Sequence, residues 1–134
     1  MDDEILKNRM GWIGKRVEKR DTVYNILKSV GIFSMIEGAI LYSSFAFLKH
    51  FNNVGKNKLI NINAGINFSA IDETLHSQAG AWLFRTLMGE VMQDGKLSDE
   101  EINYLRLELE QTAKIILEHE SVIIDKILDR KSVV

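Results

Sequence analysis

Two glutamates and a histidine are the residues of this chain whose types and spacing could bind a metal ion. Glu37 is the single acid in the apolar segment GIFSMIEGAILYSSFAFL, residues 31–48, and Glu73 and His76 form a Glu-x-x-His motif. A lone carboxylate in an apolar interior is unfavourable unless it is paired, protonated or bound to a cation. A glutamate on one helix and a Glu-x-x-His motif on its neighbour make up half of the ligands of di-iron and di-manganese carboxylate sites in helical bundles. The three residues therefore predict half of a two-metal site.

The segments that carry these residues are predicted to be helices. The chain has no proline, and its hydrophobic residues recur mainly at helical spacing. Helices are expected at residues 3–19, 23–51, 59–93 and 98–129, with the segment NNVGKNK, residues 52–58, as the turn between the second and the third. Asp21 and Thr22 are candidate N-caps of the second helix, and Ser98 with Glu101 has the capping-box pattern for the fourth.

The short turn predicts that the second and third helices pack as antiparallel neighbours. Glu37 and Glu73 each lie 18 residues from Gly55 at the centre of the turn, or roughly 27 Å at about 1.5 Å per residue. The two carboxylates are therefore expected at the same level of the hairpin. Each shares its helix face with apolar and small residues, so the three candidate ligands are expected to face the interior. The alternative is a hydrogen-bonded Glu73–His76 pair without a metal, with Glu37 turned toward solvent.

Composition and charge argue against several other classes of function. The chain has 134 residues, of which 46% are hydrophobic, so it is expected to form a single all-helical domain spanning residues 1–134. A net charge of -2 gives no general attraction to nucleic acid or anionic membranes, and the absence of cysteine excludes disulfides and thiolate sites. The N-terminus lacks the pattern of a secretory signal, and Glu37 disfavours a membrane span. A cytoplasmic location is therefore expected.

Two segments, IEGAILYSSFAF and GINFSAIDETLHSQAGAWLF, resemble the small, radical-generating subunit of class I ribonucleotide reductase. The resemblance is strongest over residues 36–90 and extends more weakly from the first helix through the fourth. It implies a ferritin-like helical bundle, of which this chain would form half, as a long antiparallel helix hairpin with two flanking helices. It also implies an oxidoreductase component with a di-iron centre, or manganese in its place, that activates oxygen and generates a radical for deoxyribonucleotide synthesis.

The resemblance also implies roles for individual residues. Glu37, Glu73 and His76 would be the metal ligands, and no catalytic residue is assigned. Asp72 would hydrogen-bond to the ligands and help to pass the radical toward the large subunit. The positions that shelter the radical tyrosine in the family would be occupied by Leu41, Phe45 and Ser69.

The sequence departs from the family pattern in two ways. Ile71 replaces the arginine that usually precedes Asp-Glu, and the other helix pair, with its own Glu-x-x-His motif and radical tyrosine, has no counterpart. The chain is therefore expected to be a fragment of the small subunit that is inactive when isolated. Its expected partners are a second copy of itself or a complementary N-terminal fragment of the small subunit, and the large subunit in the complete enzyme. The alternative function is a helical interaction module with degenerate metal ligands and no redox role.

Overall fold

The computed structural model describes residues 4–17, 22–40, 42–50 and 60–127. Within these ranges the chain forms five α-helices and no strand, so the predicted all-helical fold class is confirmed. The helices are α1 (Glu4–Val17), α2 (Val23–Ala39), α3 (Tyr42–His50), α4 (Ile60–Gln93) and α5 (Asp99–Ile127). The predicted turn at residues 52–58 lies outside the described residues.

The prediction of one continuous helix over residues 23–51 is wrong, because α2 and α3 are separate elements. α2 ends at Ala39, yet Ile40 keeps helical backbone angles and its N–H donates to the Ile36 carbonyl at 3.0 Å. The described backbone therefore stays close to helical up to Ile40. Apolar residues continue at helical spacing on both sides of the interruption, and no proline marks it, so the sequence pattern carries no sign of the break.

The predicted N-caps that lie within the described residues are confirmed. The Thr22 hydroxyl accepts a hydrogen bond from the backbone N–H of Asn25 at 3.1 Å. Ser98 and Glu101 form the reciprocal capping box, in which the Glu101 N–H donates to the Ser98 hydroxyl at 3.2 Å and the Ser98 N–H donates to the Glu101 carboxylate at 2.8 Å. These hydrogen bonds from Ser98 lower the pKa of Glu101. The other candidate cap, Asp21, lies outside the described residues.

Replacing Ser98 by alanine is expected to lower the free energy of unfolding by about 1 kcal/mol, because the Glu101 N–H loses its acceptor. The melting temperature should fall by roughly 2 to 8 °C, as measured by thermal circular dichroism. Ser121→Ala, at an exposed position within α5, is the control and should leave the melting temperature almost unchanged. Equal melting temperatures for Ser98→Ala and the wild type at pH 7 would contradict the capping role.

The same capping box has a defined pH dependence. A carboxyl group whose pKa is lowered in the folded state stabilises the fold above its unfolded pKa, and this contribution is lost as the pH falls through the folded value. The contribution of Glu101 should therefore be complete above the ordinary carboxyl pKa of 4.5 and should disappear in more acidic solution.

The hydrophobic core lies where α2 meets α1, α4 and α5. Leu27 and Ile32 of α2 are almost completely inaccessible, and α5 buries Leu105, Leu109 and Ile116. The core cluster consists of Ile13, Leu27, Ile32, Val91, Leu105 and Leu109. α2 is therefore the central helix of the described structure, and its contacts hold α4 and α5 in place.

α2 and α4 run antiparallel and approach closely where small residues face each other. The Ser34 hydroxyl donates to the Ser77 carbonyl at 2.8 Å, and the Ser77 hydroxyl donates to the Ser34 carbonyl at 3.0 Å. Gly80 lies directly against Ser34, where an added Cβ would be 3.0 Å from the serine Cβ and 3.2 Å from its Cα. Gly38 lies against Ser77 in the same way. This contact sets the separation and register of the two helices that carry the candidate metal ligands.

One segment, Val23–Lys49, is long and apolar enough to cross a membrane by length and composition alone, a test that core helices of soluble proteins also pass. Leu27 and Ile32 on one side of the segment are buried in the core, whereas Ile26 and Phe33 on another side are exposed. The hydropathy of the segment is high because it has two apolar faces. One face packs in the core, and the described helices do not cover the other.

Candidate metal centre

The three predicted metal ligands lie together between α2 and α4. One ligand atom from each of Glu37, Glu73 and His76 lies within 4.8 Å of the other two. His76 Nδ1 is 3.4 Å from Glu37 Oε2 and 3.9 Å from Glu73 Oε2. The two carboxylates are at the same level of the antiparallel pair, and the alternative with Glu37 turned away from the motif does not occur.

The three side chains differ in their exposure to solvent. Glu37 and Glu73 have 18% and 19% of their side-chain surface exposed, whereas His76 has 56% exposed. The prediction that all three face the interior is therefore wrong for His76. The imidazole lies at the edge of the α2–α4 contact beside an open groove, and none of the described helices covers it.

The two carboxylates interact directly with each other. The pKa of Glu73 is raised, first by a hydrogen bond with Glu37, then by burial and by the negative charge of Glu37, while His76 acts in the opposite direction. A carboxylate pair of this kind binds a proton more readily than two separate carboxylates do. A cation bound by both carboxylates would, like the proton, offset the repulsion between their negative charges.

Three of the other four predicted site residues lie within the described part of the chain. Asp72 and Ser69 are both exposed on α4. Phe45 is half-buried on α3, where its ring lies edge-on to that of Tyr42 with centroids 6.1 Å apart. Leu41 lies outside the described residues. The roles of these four residues remain predictions.

An apolar groove beside the cluster was not predicted. It has a volume of about 680 Å³ and lies between α2 and α4, with His76 on its border. The side chains that line it include Ile26, Val30, Phe33, Ala79, Trp82 and Leu83. The sequence carries a sign of this groove, since Ile26, Val30 and Phe33 recur at helical spacing on a different face of α2 from Leu27.

A polar cluster joins α2 to α5 at a separate place. The Tyr24 hydroxyl donates to Glu108 Oε2 at 2.6 Å, and Lys28 Nζ is 3.4 Å from the same oxygen. Burial and this hydrogen bond raise the pKa of Tyr24. The Tyr24 hydroxyl therefore links α2 to α5.

The donor set of the cluster suits a transition metal. Two carboxylates and an imidazole are ligands that iron and manganese accept, and carboxylate oxygens can bridge two ions. Glu37, Glu73 and His76 offer these donors from two adjacent helices whose spacing the Ser34–Ser77 contact holds. The residues present therefore fit one half of a two-metal site.

The comparisons with known proteins point to the same class of protein. The family model described as ribonucleotide reductase, small chain, matches residues 1–133. No curated protein and no solved structure is significantly similar to this chain. The matched range contains all five described helices and the three clustered residues. The chain therefore belongs to the ribonucleotide reductase small chain family.

Proposed function

We propose that this chain supplies half of the di-metal site of a class I ribonucleotide reductase small subunit. The observation that carries the proposal is the convergence of Glu37, Glu73 and His76 on two adjacent helices of a chain that belongs to this family. The bound metal, iron or manganese, would supply oxygen activation and radical generation for the reduction of ribonucleotides. The isolated chain would be inactive because it holds only half of the ligands.

The residues of the chain itself have three tasks in this proposal. The Glu37 and Glu73 carboxylates balance the charge of the cations, and His76 adds a neutral donor. The reciprocal hydrogen bonds between Ser34 and Ser77 keep the carboxylates at one level. The apolar groove beside His76 excludes water once a partner covers it, which protects a reactive site from side reactions.

The remaining predicted residues extend the proposed site outward. Asp72, next to Glu73, is proposed to hydrogen-bond to the ligands in the assembled subunit. It is also proposed to help to pass the radical toward the large subunit. Leu41, Phe45 and Ser69 are proposed to border the radical tyrosine of the missing half. The proposed partners are the large subunit and, for the missing half, a complementary small-subunit segment or a second copy of this chain. The proposed location is the cytoplasm.

Anaerobic titration with Fe²⁺, followed by exposure to air, tests this proposal. Stoichiometric iron uptake and a new oxo-bridged optical absorption after air are expected. A titration with Ca²⁺ is the control, since Ca²⁺ takes six to eight oxygen ligands and should not occupy a site with an imidazole donor. Failure to take up iron, even with a complementary small-subunit fragment added, would contradict the proposal and would favour a helical interaction module.

A further inference from the structure

We infer that a second copy of this chain covers the groove, in an association that depends on a divalent metal ion. Each copy would contribute its Glu37, Glu73 and His76 to one shared two-metal site. The inference rests on the proposed function and goes beyond it, because it identifies the partner and makes the bound metal the condition for assembly.

The exposed apolar lining of the groove is the first support. Ile26 is 44% exposed, Phe33 49%, Trp82 62% and Leu83 40%. Large apolar side chains clustered on one surface mark a site of protein contact. His76 borders the same groove, so a partner seated there would also reach the candidate ligands.

The number of donors favours a second copy as that partner. Bundle sites with two metals use a glutamate from each of two helices and a Glu-x-x-His motif from each of two others. One copy provides Glu37 from α2 and the motif Glu73-x-x-His76 from α4. Two copies related by a two-fold axis therefore provide the whole set of donors.

The shape of the groove is consistent with contact between identical surfaces. A two-fold interface brings the same patch of both subunits together, so the patch must contain both projecting and receding positions. The groove has large side chains at Phe33 and Trp82 and small ones at Ser29, Ala79 and Gly80. Large residues of one copy can therefore pack against small residues of the other.

Charge explains why the association should require metal. Two copies placed face to face bring four carboxylates close together, and none of the described residues that line the groove is a lysine or an arginine. Repulsion between carboxylates that are shielded from water opposes such a contact. Divalent cations bound by these carboxylates would turn the repulsion between the two copies into attraction. Metal binding should therefore favour association, and association should favour metal binding.

A second apolar surface of α4 provides a control. Phe68, Ile71 and Leu75 are strongly exposed, and Ile71 and Leu75 border a different cleft, together with Tyr42 and Thr74. None of the three candidate ligands borders that cleft. Association through this outer surface should therefore not respond to metal.

Sedimentation velocity of the full chain at micromolar concentration, in EDTA and in increasing Mn²⁺, tests the inference. The chain should be mainly monomeric in EDTA and dimeric with Mn²⁺, and Mn²⁺ should lower the dimer dissociation constant by roughly 5- to 150-fold. The electron paramagnetic resonance spectrum should show magnetically coupled manganese in the dimer. Leu83→Ser in the groove should weaken the dimer, whereas Leu75→Ser on the outer surface should not. Ile26→Ser, in the groove on α2, replaces Leu83→Ser if circular dichroism shows that variant to be unfolded.

Distinct results would overturn the inference. Bound Mn²⁺ on a chain that stays monomeric, or equal dimerisation in EDTA and in Mn²⁺, would contradict it and leave the proposed metal site standing. A Mn²⁺-dependent dimer that is lost in Leu75→Ser but kept in Leu83→Ser would place the interface on the outer surface and would also contradict it. Absence of any Mn²⁺ binding would contradict the inference. The proposed function would be contradicted as well only if the chain also failed to take up Fe²⁺.

Discussion

Replacing His76 or Glu73 by alanine is expected to weaken Fe²⁺ and Mn²⁺ binding by more than about 100-fold. Loss of a residue that only supports a metal ligand already lowers affinity by about 10- to 100-fold, so loss of a ligand should exceed that range. Each substitution removes one of three donors that lie within 4.8 Å of each other. Anaerobic competition with a coloured chelator measures the change in affinity.

Matched substitutions elsewhere in the chain control for charge and for residue type. Glu90→Ala removes an exposed carboxylate from the same helix α4, and His119→Ala removes a histidine from α5. Both should leave metal affinity within a factor of a few of the wild type. Equal losses for His76→Ala and His119→Ala, with unchanged circular dichroism, would show that binding is not located at the cluster.

Gly80→Ala and Gly89→Ala are expected to change stability in opposite directions, although both replace a glycine of α4. At Gly80 the added Cβ meets Ser34 at 3.0 Å and 3.2 Å, whereas at Gly89 no described atom outside the adjacent turns of its own helix backbone lies within 4 Å. Gly80→Ala should lower the free energy of unfolding by about 1 to 3 kcal/mol, because α2 and α4 must separate. Gly89→Ala should raise it by about 0.4 to 1 kcal/mol, since alanine reduces the conformational freedom of the unfolded chain.

Urea unfolding followed by circular dichroism measures both changes. Gly80 lies one helical turn after His76, so Gly80→Ala should also weaken metal binding, while Gly89→Ala should not. A stabilising effect of Gly80→Ala would show that α2 and α4 adjust without strain, and the contact between Ser34 and Ser77 would then not control the spacing of the ligands.

Features that depend on local chemistry could be predicted from the sequence. Thr22 and Ser98 were identified as N-caps because a hydroxyl just before a helix satisfies backbone N–H groups whatever the rest of the fold is. The shared level of Glu37 and Glu73 agrees with the prediction, but the constant rise of a helix does not by itself account for it, because α2 and α3 are separate elements between Glu37 and the predicted turn. The residues around the Glu-x-x-His motif resemble the family, and the family model matches residues 1–133.

Exposure and close contacts could not be predicted in the same way. The sequence placed His76 on the face of α4 that carries Glu73, but whether that face is covered depends on helices that are distant in sequence. The reciprocal contact between Ser34 and Ser77 needs two helices at a particular separation. Nothing in the sequence around either serine distinguishes it from a serine exposed to solvent.

The sequence alone determined the helical class of this protein, its helix caps and its three candidate ligands, because each depends on residue type and on the regular geometry of a helix. Only the tertiary structure decided that the predicted second helix is divided, that His76 faces an open groove and that Ile26 and Phe33 remain exposed beside it. These features depend on which surfaces other parts of the chain cover, and periodicity identifies an apolar face without identifying what packs against it.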